Sequence, residues 1–199
     1  THKALDYIVD ATSHYYKVGK DVFLGMDVAA ESFVEHDRYK ISEEDLDLDV
    51  SSFEKYYKKL INKYPFIYVE DPFYEKDYEG WKMFHDAFAD RLMVVADDLV
   101  VTNTKFLKKA LDLQLANAVI VKPNQVGSLT ETLEFIRMAR AAGMQIIVSH
   151  RSGDTAEDTF ISDLALAIKA DFIKAGSPVR GERVVKYNRL LDIYAEIHG

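Results

Sequence analysis

VVADDLVVTNTKFLKKALDLQLANAVIVKP, residues 94–123, is the segment on which the reading of the whole chain turns. It opens and closes on continuous apolar runs, VVA and AVIV. A strand with one face in water alternates polar and apolar residues, whereas a strand buried on both faces of a parallel sheet does not. Between the runs, Asn103 or Thr104 is placed to cap a helix carrying Phe106, Leu107, Ala110 and Leu111 on its apolar side. The spacing therefore predicts strand, helix, strand. Two acids, Asp97 and Asp98, stand side by side where the first run stops. Adjacent carboxylates at the mouth of a buried strand repel one another and lose hydration, so positive charge is expected near them.

The same beat runs through the chain. Short β-rich runs occur at VFLGMD (22–27), FIYVED (66–71), LMVVADD (92–98), AVIVKP (118–123), QIIVSH (145–150) and FIKAGS (172–177). Helical segments lie between them. Ser128 and Glu131 have capping-box spacing ahead of Leu129, Leu133 and Ile136, and Thr155 with Asp158 offers a weaker version before Phe160, Leu164 and Ile168. Val184, Tyr187, Leu190, Leu191, Tyr194 and Ile197 form a last apolar stripe. Residues 1–21 predict a helix with no strand. The stretch 28–53 is long for a strand–helix connection and acidic at Glu43, Glu44, Asp45, Asp47 and Asp49, with HDRYKIS as a small excursion; it reads as a solvated surface loop.

Alternating strands and helices give either an open doubly wound sheet or a (β/α) barrel. The polar residues that end the strands decide between them. Glu70, Asp97, Lys122, His150 and Lys174 follow one another at intervals of 27, 25, 28 and 24 residues, and Asp27 ends the earliest strand. A closed barrel brings all its strand carboxyl ends to one mouth. An open sheet gathers only those beside its switch point, and no glycine-rich nucleotide-binding element is present. The expected fold is an α/β barrel of TIM type, with six of its eight strands in these 199 residues.

Composition narrows the function. The net charge is −8, from 33 acidic and 25 basic residues. That disfavours a nucleic-acid surface, which needs clustered Lys and Arg. No cysteine is present, which removes thiolate metal sites, disulfides and cysteine nucleophiles and fits a cytoplasmic location. No apolar run approaches the roughly 18 residues of a membrane span.

Asp27, Glu70 and Asp97 supply hard oxygen donors from three strand ends, the donor type that Mg²⁺ takes. Any one such acid is most simply a loop residue; three in phase are harder to explain that way. Lys122 and Lys174 come from the same ends. Salt bridges to the acids account for them on one reading. On the other, a lysine among cations holds its proton less tightly and can act as a general base. His150, Arg151 and Ser152 add a guanidinium fork and neutral donors suited to an anionic, phosphate-bearing substrate.

These residues lie in motifs that resemble the catalytic C-terminal part of the enolase family: GMDVAA, VEDPF, VADDLVVTN, VKPNQVGSLTET, VSHRSGDTAEDTFISDLA and IKAGSPVRGERVVKYNRLL. The resemblance runs from about Gly25 to the end. It implies a lyase of glycolysis and gluconeogenesis, phosphopyruvate hydratase, which dehydrates 2-phospho-D-glycerate to phosphoenolpyruvate with two Mg²⁺ ions per site. By position, it implies that Asp27, Glu70 and Asp97 are ligands of the first Mg²⁺ and that Lys122 is the base at carbon 2. His150, Arg151, Ser152 and Lys174 become substrate contacts, and Asp71 and Asp98 supporting residues. It also implies a homo-oligomer.

In DVAAESF, Glu31 and Ser32 are exchanged relative to the family's usual order. The family's general acid, its mobile substrate loop and the first barrel strands precede the region present here. Residues 1–199 alone are therefore expected to have little or no dehydratase activity. Two alternatives remain: another enolase-superfamily enzyme acting on a carboxylate, which SHRSGDT disfavours, and a non-catalytic scaffold, which the intact site positions disfavour.

Overall fold

A computed structural model describes residues 1–151 and 153–199. The chain divides into two compact units, Thr1–Leu99 with Lys109–Asn117, and Val100–Lys108 with Ala118–Gly199.

In the first unit, helix α1 (His2–Ser13) precedes strand β1 (Leu24–Asp27). Three short strands follow, β2 (Val34–Glu35), β3 (Arg38–Ile41) and β4 (Leu46–Leu48), paired antiparallel in the order β2–β3–β4. Then come α2 (Val50–Lys63), β5 (Phe66–Glu70), α3 (Tyr78–Phe88) and β6 (Met93–Ala96). β5 pairs in parallel with β1 on one side and β6 on the other. Asn117 holds the start of β6: its Oδ1 accepts the Val94 amide at 2.8 Å, and its Nδ2 donates to the carbonyls of Ala89 and Leu92.

The region expected as a solvated loop is thus a small sheet, and the cause is Tyr39. Its side chain is buried, stacked on Phe53 at 4.5 Å between centroids and edge-on to Phe73 at 5.4 Å. Its hydroxyl donates to Asp77 Oδ2 at 2.6 Å, while the other Asp77 oxygen caps α3 by accepting the Gly80 amide. Burying one tyrosine, with its polar end hydrogen-bonded, anchors the excursion. The acids behave as expected: Glu43, Asp45, Asp47 and Asp49 are exposed.

Helix α4 (Thr104–Asp112) crosses the boundary between the units. It starts as the sequence predicts, with Asn103 Oδ1 accepting the Lys105 amide at 2.9 Å. The second unit continues with β7 (Ala118–Val121), α5 (Pro123–Val126), α6 (Leu129–Ala141), β8 (Gln145–Ser149), α7 (Phe160–Ala167), β9 (Phe172–Lys174) and α8 (Gly181–His198). β8 pairs in parallel with β7 and β9. All six predicted strands are present, and β6 and β7 are buried along their whole length, as continuous apolar runs require.

α5 is a single turn that ends on Gly127 at φ 81°, the left-handed conformation glycine adopts most readily. The chain then enters α6 through the predicted capping box. Ser128 Oγ accepts the Glu131 amide at 3.2 Å and donates to the Glu131 carboxylate at 2.6 Å. The buried face of α6 is Thr132, Phe135, Ile136 and Ala139, while Leu129 is exposed, so the apolar stripe is turned relative to the sequence reading. Among the described residues Thr155 caps no helix: α7 starts after Thr159, and Asp158 Oδ1 accepts the Phe160 amide. In α8 the fully inward positions are Lys186 and Ile193, and Leu191, Tyr194 and Ile197 are exposed.

Candidate functional site

The predicted residues stand at strand ends. Asp27 and Glu70 are the last residues of β1 and β5 and are paired across the two strands. Asp97 is the first residue beyond β6. Its neighbour Asp98 is exposed while Asp97 is buried, so the adjacent acids diverge into different surroundings.

Glu70, Asp71 and Asp97 each present an oxygen within 4.8 Å of the others, and all three side chains are buried. Asp71 holds this arrangement together. It sits at φ 42°, so the chain turns sharply as β5 ends. Its two carboxylate oxygens accept the amides of Asp97 and Asp98, each at 3.0 Å, and its carbonyl accepts the Ala30 amide at 3.3 Å. One side chain therefore fixes the turn after β6 against the end of β5. Burial pushes the Asp71 carboxyl well above the ordinary carboxylate range; the two amides oppose this, and the charges of Asp97 and Asp98 reinforce it. Asp27, by contrast, is exposed and lies outside the close group.

Tyr68, two residues before Glu70, donates its hydroxyl to Glu70 Oε2. Burial first, and then the charge on Glu70, hold the phenol in its protonated form. The donor chemistry of this pocket suits a hard divalent cation: all-oxygen, anionic, and crowded enough that a cation would relieve both repulsion and desolvation.

In the second unit, Lys122 follows β7 and occupies the N-cap position of α5, with Pro123 after it. Its amide donates to Thr102 Oγ1 at 3.0 Å, and the Thr102 hydroxyl donates to Gln125 Oε1 at 2.6 Å. His150 follows β8, and its amide donates to the carbonyl of Lys174, the last residue of β9, at 3.0 Å. His150 and Arg151 line a cavity of about 80 Å³ together with Asn124, Ser149, Asp154 and Asp158. Ser152 lies outside the described residues.

Burial lowers the His150 imidazole below its ordinary value; Asp154 opposes this, and Arg183, Lys186 and Lys174 add to it. Between that lowered value and about 6.5 the unfolded chain binds a proton that the folded chain does not. Stability from this group is therefore full above about pH 6.5 and is lost as pH falls through the folded value. His150→Gln should flatten the acid side of a plot of melting temperature against pH. An unchanged slope below pH ~6.5 would assign that slope to other groups.

Asp71 is expected from the resemblance as a supporting residue; its carboxylate lies in the group with Glu70 and Asp97 and accepts the amides of Asp97 and Asp98, partners that no spacing in VEDPF indicates. Tyr68 and Lys186 gave no signal, because an aromatic in a strand and a lysine in a helix are unremarkable by pattern.

Strands in parallel, joined by helices, with carboxylates gathered where they end, define an α/β protein built to bring charge to its strand carboxyl ends. The profile of the family described as "Enolase, C-terminal TIM barrel domain" matches residues 1–199, and the chain belongs to that family. It is 46% identical over 192 residues to proteins named "Enolase" from Ehrlichia ruminantium, strains Gardel and Welgevonden. Each match covers 96% of this chain and 45% of the relative, so the chain spans about half the length of the curated relatives it matches. Among the described residues, no helix is long and apolar enough to cross a membrane.

Proposed function

We propose that the complete protein carrying this chain catalyses the dehydration of 2-phospho-D-glycerate to phosphoenolpyruvate. The buried group Glu70, Asp71 and Asp97, in a chain of this family, is the observation that carries the proposal. Glu70 and Asp97 would hold one Mg²⁺, with Asp27, paired with Glu70 across β1 and β5, as the third ligand. Asp71 stays bound to the amides of Asp97 and Asp98 and fixes their approach. When bound, Mg²⁺ supplies positive charge against the substrate carboxylate, where a second negative charge develops as the neighbouring proton leaves.

The chain's own residues do the rest. Lys122 Nζ takes the proton from carbon 2, and its backbone is fixed by Thr102. Arg151 offers two parallel N–H groups to the phosphate. His150, neutral above about pH 6.5, donates or accepts a hydrogen bond without adding charge. Lys174 and Ser152 complete the substrate contacts. The reading includes a cytoplasmic homo-oligomer.

Phosphoenolpyruvate formation, followed by its ultraviolet absorbance with Mg²⁺ present, tests the proposal on the complete protein. Lys122→Ala should lower kcat at least about 100-fold, the usual contribution of a positioned base. A parent protein that fails to turn over 2-phosphoglycerate, or a Lys122→Ala variant with parental kcat, refutes it.

A further inference from the structure

Tyr68 is an unusual neighbour for a cluster of acids, and the strand beside it is shaped to admit it. Tyr68 and Glu70 are two residues apart on β5 and so project to the same face of the sheet. Across on β1, the Cα partner of Tyr68 is Gly25. A Cβ built on Gly25 would stand 3.3 Å from Tyr68 Cδ1 and 3.4 Å from its Cβ and Cγ. With glycine there, the ring lies against the β1 backbone, and that placement carries the hydroxyl to Glu70 Oε2.

A glutamate has three rotatable side-chain bonds, and without a fixed donor its carboxylate can turn among several orientations. Here one donor is the hydroxyl of a rigid ring that lies against the β1 backbone at Gly25. A phenol O–H given to a carboxylate is a charge-assisted bond, stronger than one between neutral groups. One oxygen of Glu70 is thereby assigned to Tyr68, and the plane of the carboxylate is set relative to Asp97 and Asp71, whose oxygens lie within 4.8 Å. Donors of this kind, bound to a ligating side chain and not to the metal, orient the ligand and raise metal affinity.

We infer that Tyr68 is a positioning residue for the cation site: its hydroxyl fixes the Glu70 carboxylate in the orientation that receives a divalent metal. The inference rests on the reading of the Glu70, Asp71 and Asp97 group as a cation site, and the experiment separates the two. Mn²⁺ alone is titrated into the complete protein, with free Mn²⁺ read by electron paramagnetic resonance, for the parent, Tyr68→Phe and Glu70→Gln. Tyr68→Phe removes one oxygen and keeps the ring that packs on Gly25, so near-ultraviolet circular dichroism and melting temperature should match the parent.

The expected result is Mn²⁺ affinity about 10- to 100-fold weaker for Tyr68→Phe, the range typical of such outer donors, and a larger loss for Glu70→Gln. A purely structural role would instead move the melting temperature and leave affinity in place. Parental affinity in Tyr68→Phe with loss in Glu70→Gln overturns the positioning role and leaves the cation site standing. Parental affinity in both variants overturns the cation site and the inference with it. If Tyr68→Phe does not fold, Tyr68→Met, which also fills space without a hydroxyl, carries the same expectations.

Discussion

Asp97→Ala, made in the complete protein, should lower Mg²⁺-dependent turnover by about a thousandfold or more, while Asp98→Ala leaves most of it. The contrast follows from the divergence of the two acids after β6: Asp97 is buried among Glu70 and Asp71, and Asp98 is exposed. Electrostatic stabilisation by a metal of a developing charge is worth several kcal/mol, and about 4 kcal/mol corresponds to that loss. Asp98 contributes its amide, which donates to Asp71 Oδ2 and survives truncation of the side chain. Asp98→Ala therefore removes an exposed carboxylate and keeps the hydrogen bond. Parallel assays of the two variants across a Mg²⁺ series decide the matter. Equal losses would show that the division of labour between the neighbours is wrong.

The largest effect on stability is expected at Asp154→Ala. Its partner Lys186 is completely buried in α8, with Nζ 3.0 Å from Asp154 Oδ2 and 2.7 Å from the carbonyl of Glu182. The Lys186 carbonyl in turn accepts the Ser162 hydroxyl at 2.8 Å, tying α7 to α8. Removing the aspartate strands an ammonium group away from water. Breaking a buried pair in this way costs about 3–5 kcal/mol, and the lower end applies because Asp154 itself retains some exposure. For a chain of this size, about 3 kcal/mol is a fall of roughly 6–12 °C in melting temperature.

The double variant Asp154→Ala/Lys186→Met should recover most of that loss, since an apolar side chain of similar length leaves no stranded charge. The complete double-mutant cycle, by thermal or urea unfolding, isolates the pair from the packing of each partner. Recovery would establish that the penalty is electrostatic. A double variant no more stable than Asp154→Ala would place it in packing. Asp154 also lines the cavity that His150 and Arg151 line.

Much of this was legible in sequence where the signal is local. Short β-rich runs, most of them continuous and apolar, predicted all six parallel strands, and the polar residue closing each run marked its carboxyl end. Asn103 and the Ser128–Glu131 box announced their helices, because a cap is a contact between residues two or three apart. The same logic failed where a distant partner overrides the pattern. Residues 34–48 look like solvated loop, since their acids are exposed, yet Tyr39 turns them into a sheet by packing on Phe53 and Phe73. Thr155 has the spacing of a cap, yet the helix starts after Thr159, beyond its reach.

By itself, then, the order of residues determined the alternation of strand and helix, the family, and which acids and bases stand at strand ends. These depend on periodicity and on motifs a few residues long. Only the tertiary structure decided that Asp97 and not Asp98 turns inward, that Asp71 binds amides 26 and 27 residues away, that Tyr68 reaches Glu70 over Gly25, and that Lys186 is buried on Asp154. Hydrogen-bond partners and burial are set by which strands and helices come to lie side by side, and no local pattern carries that.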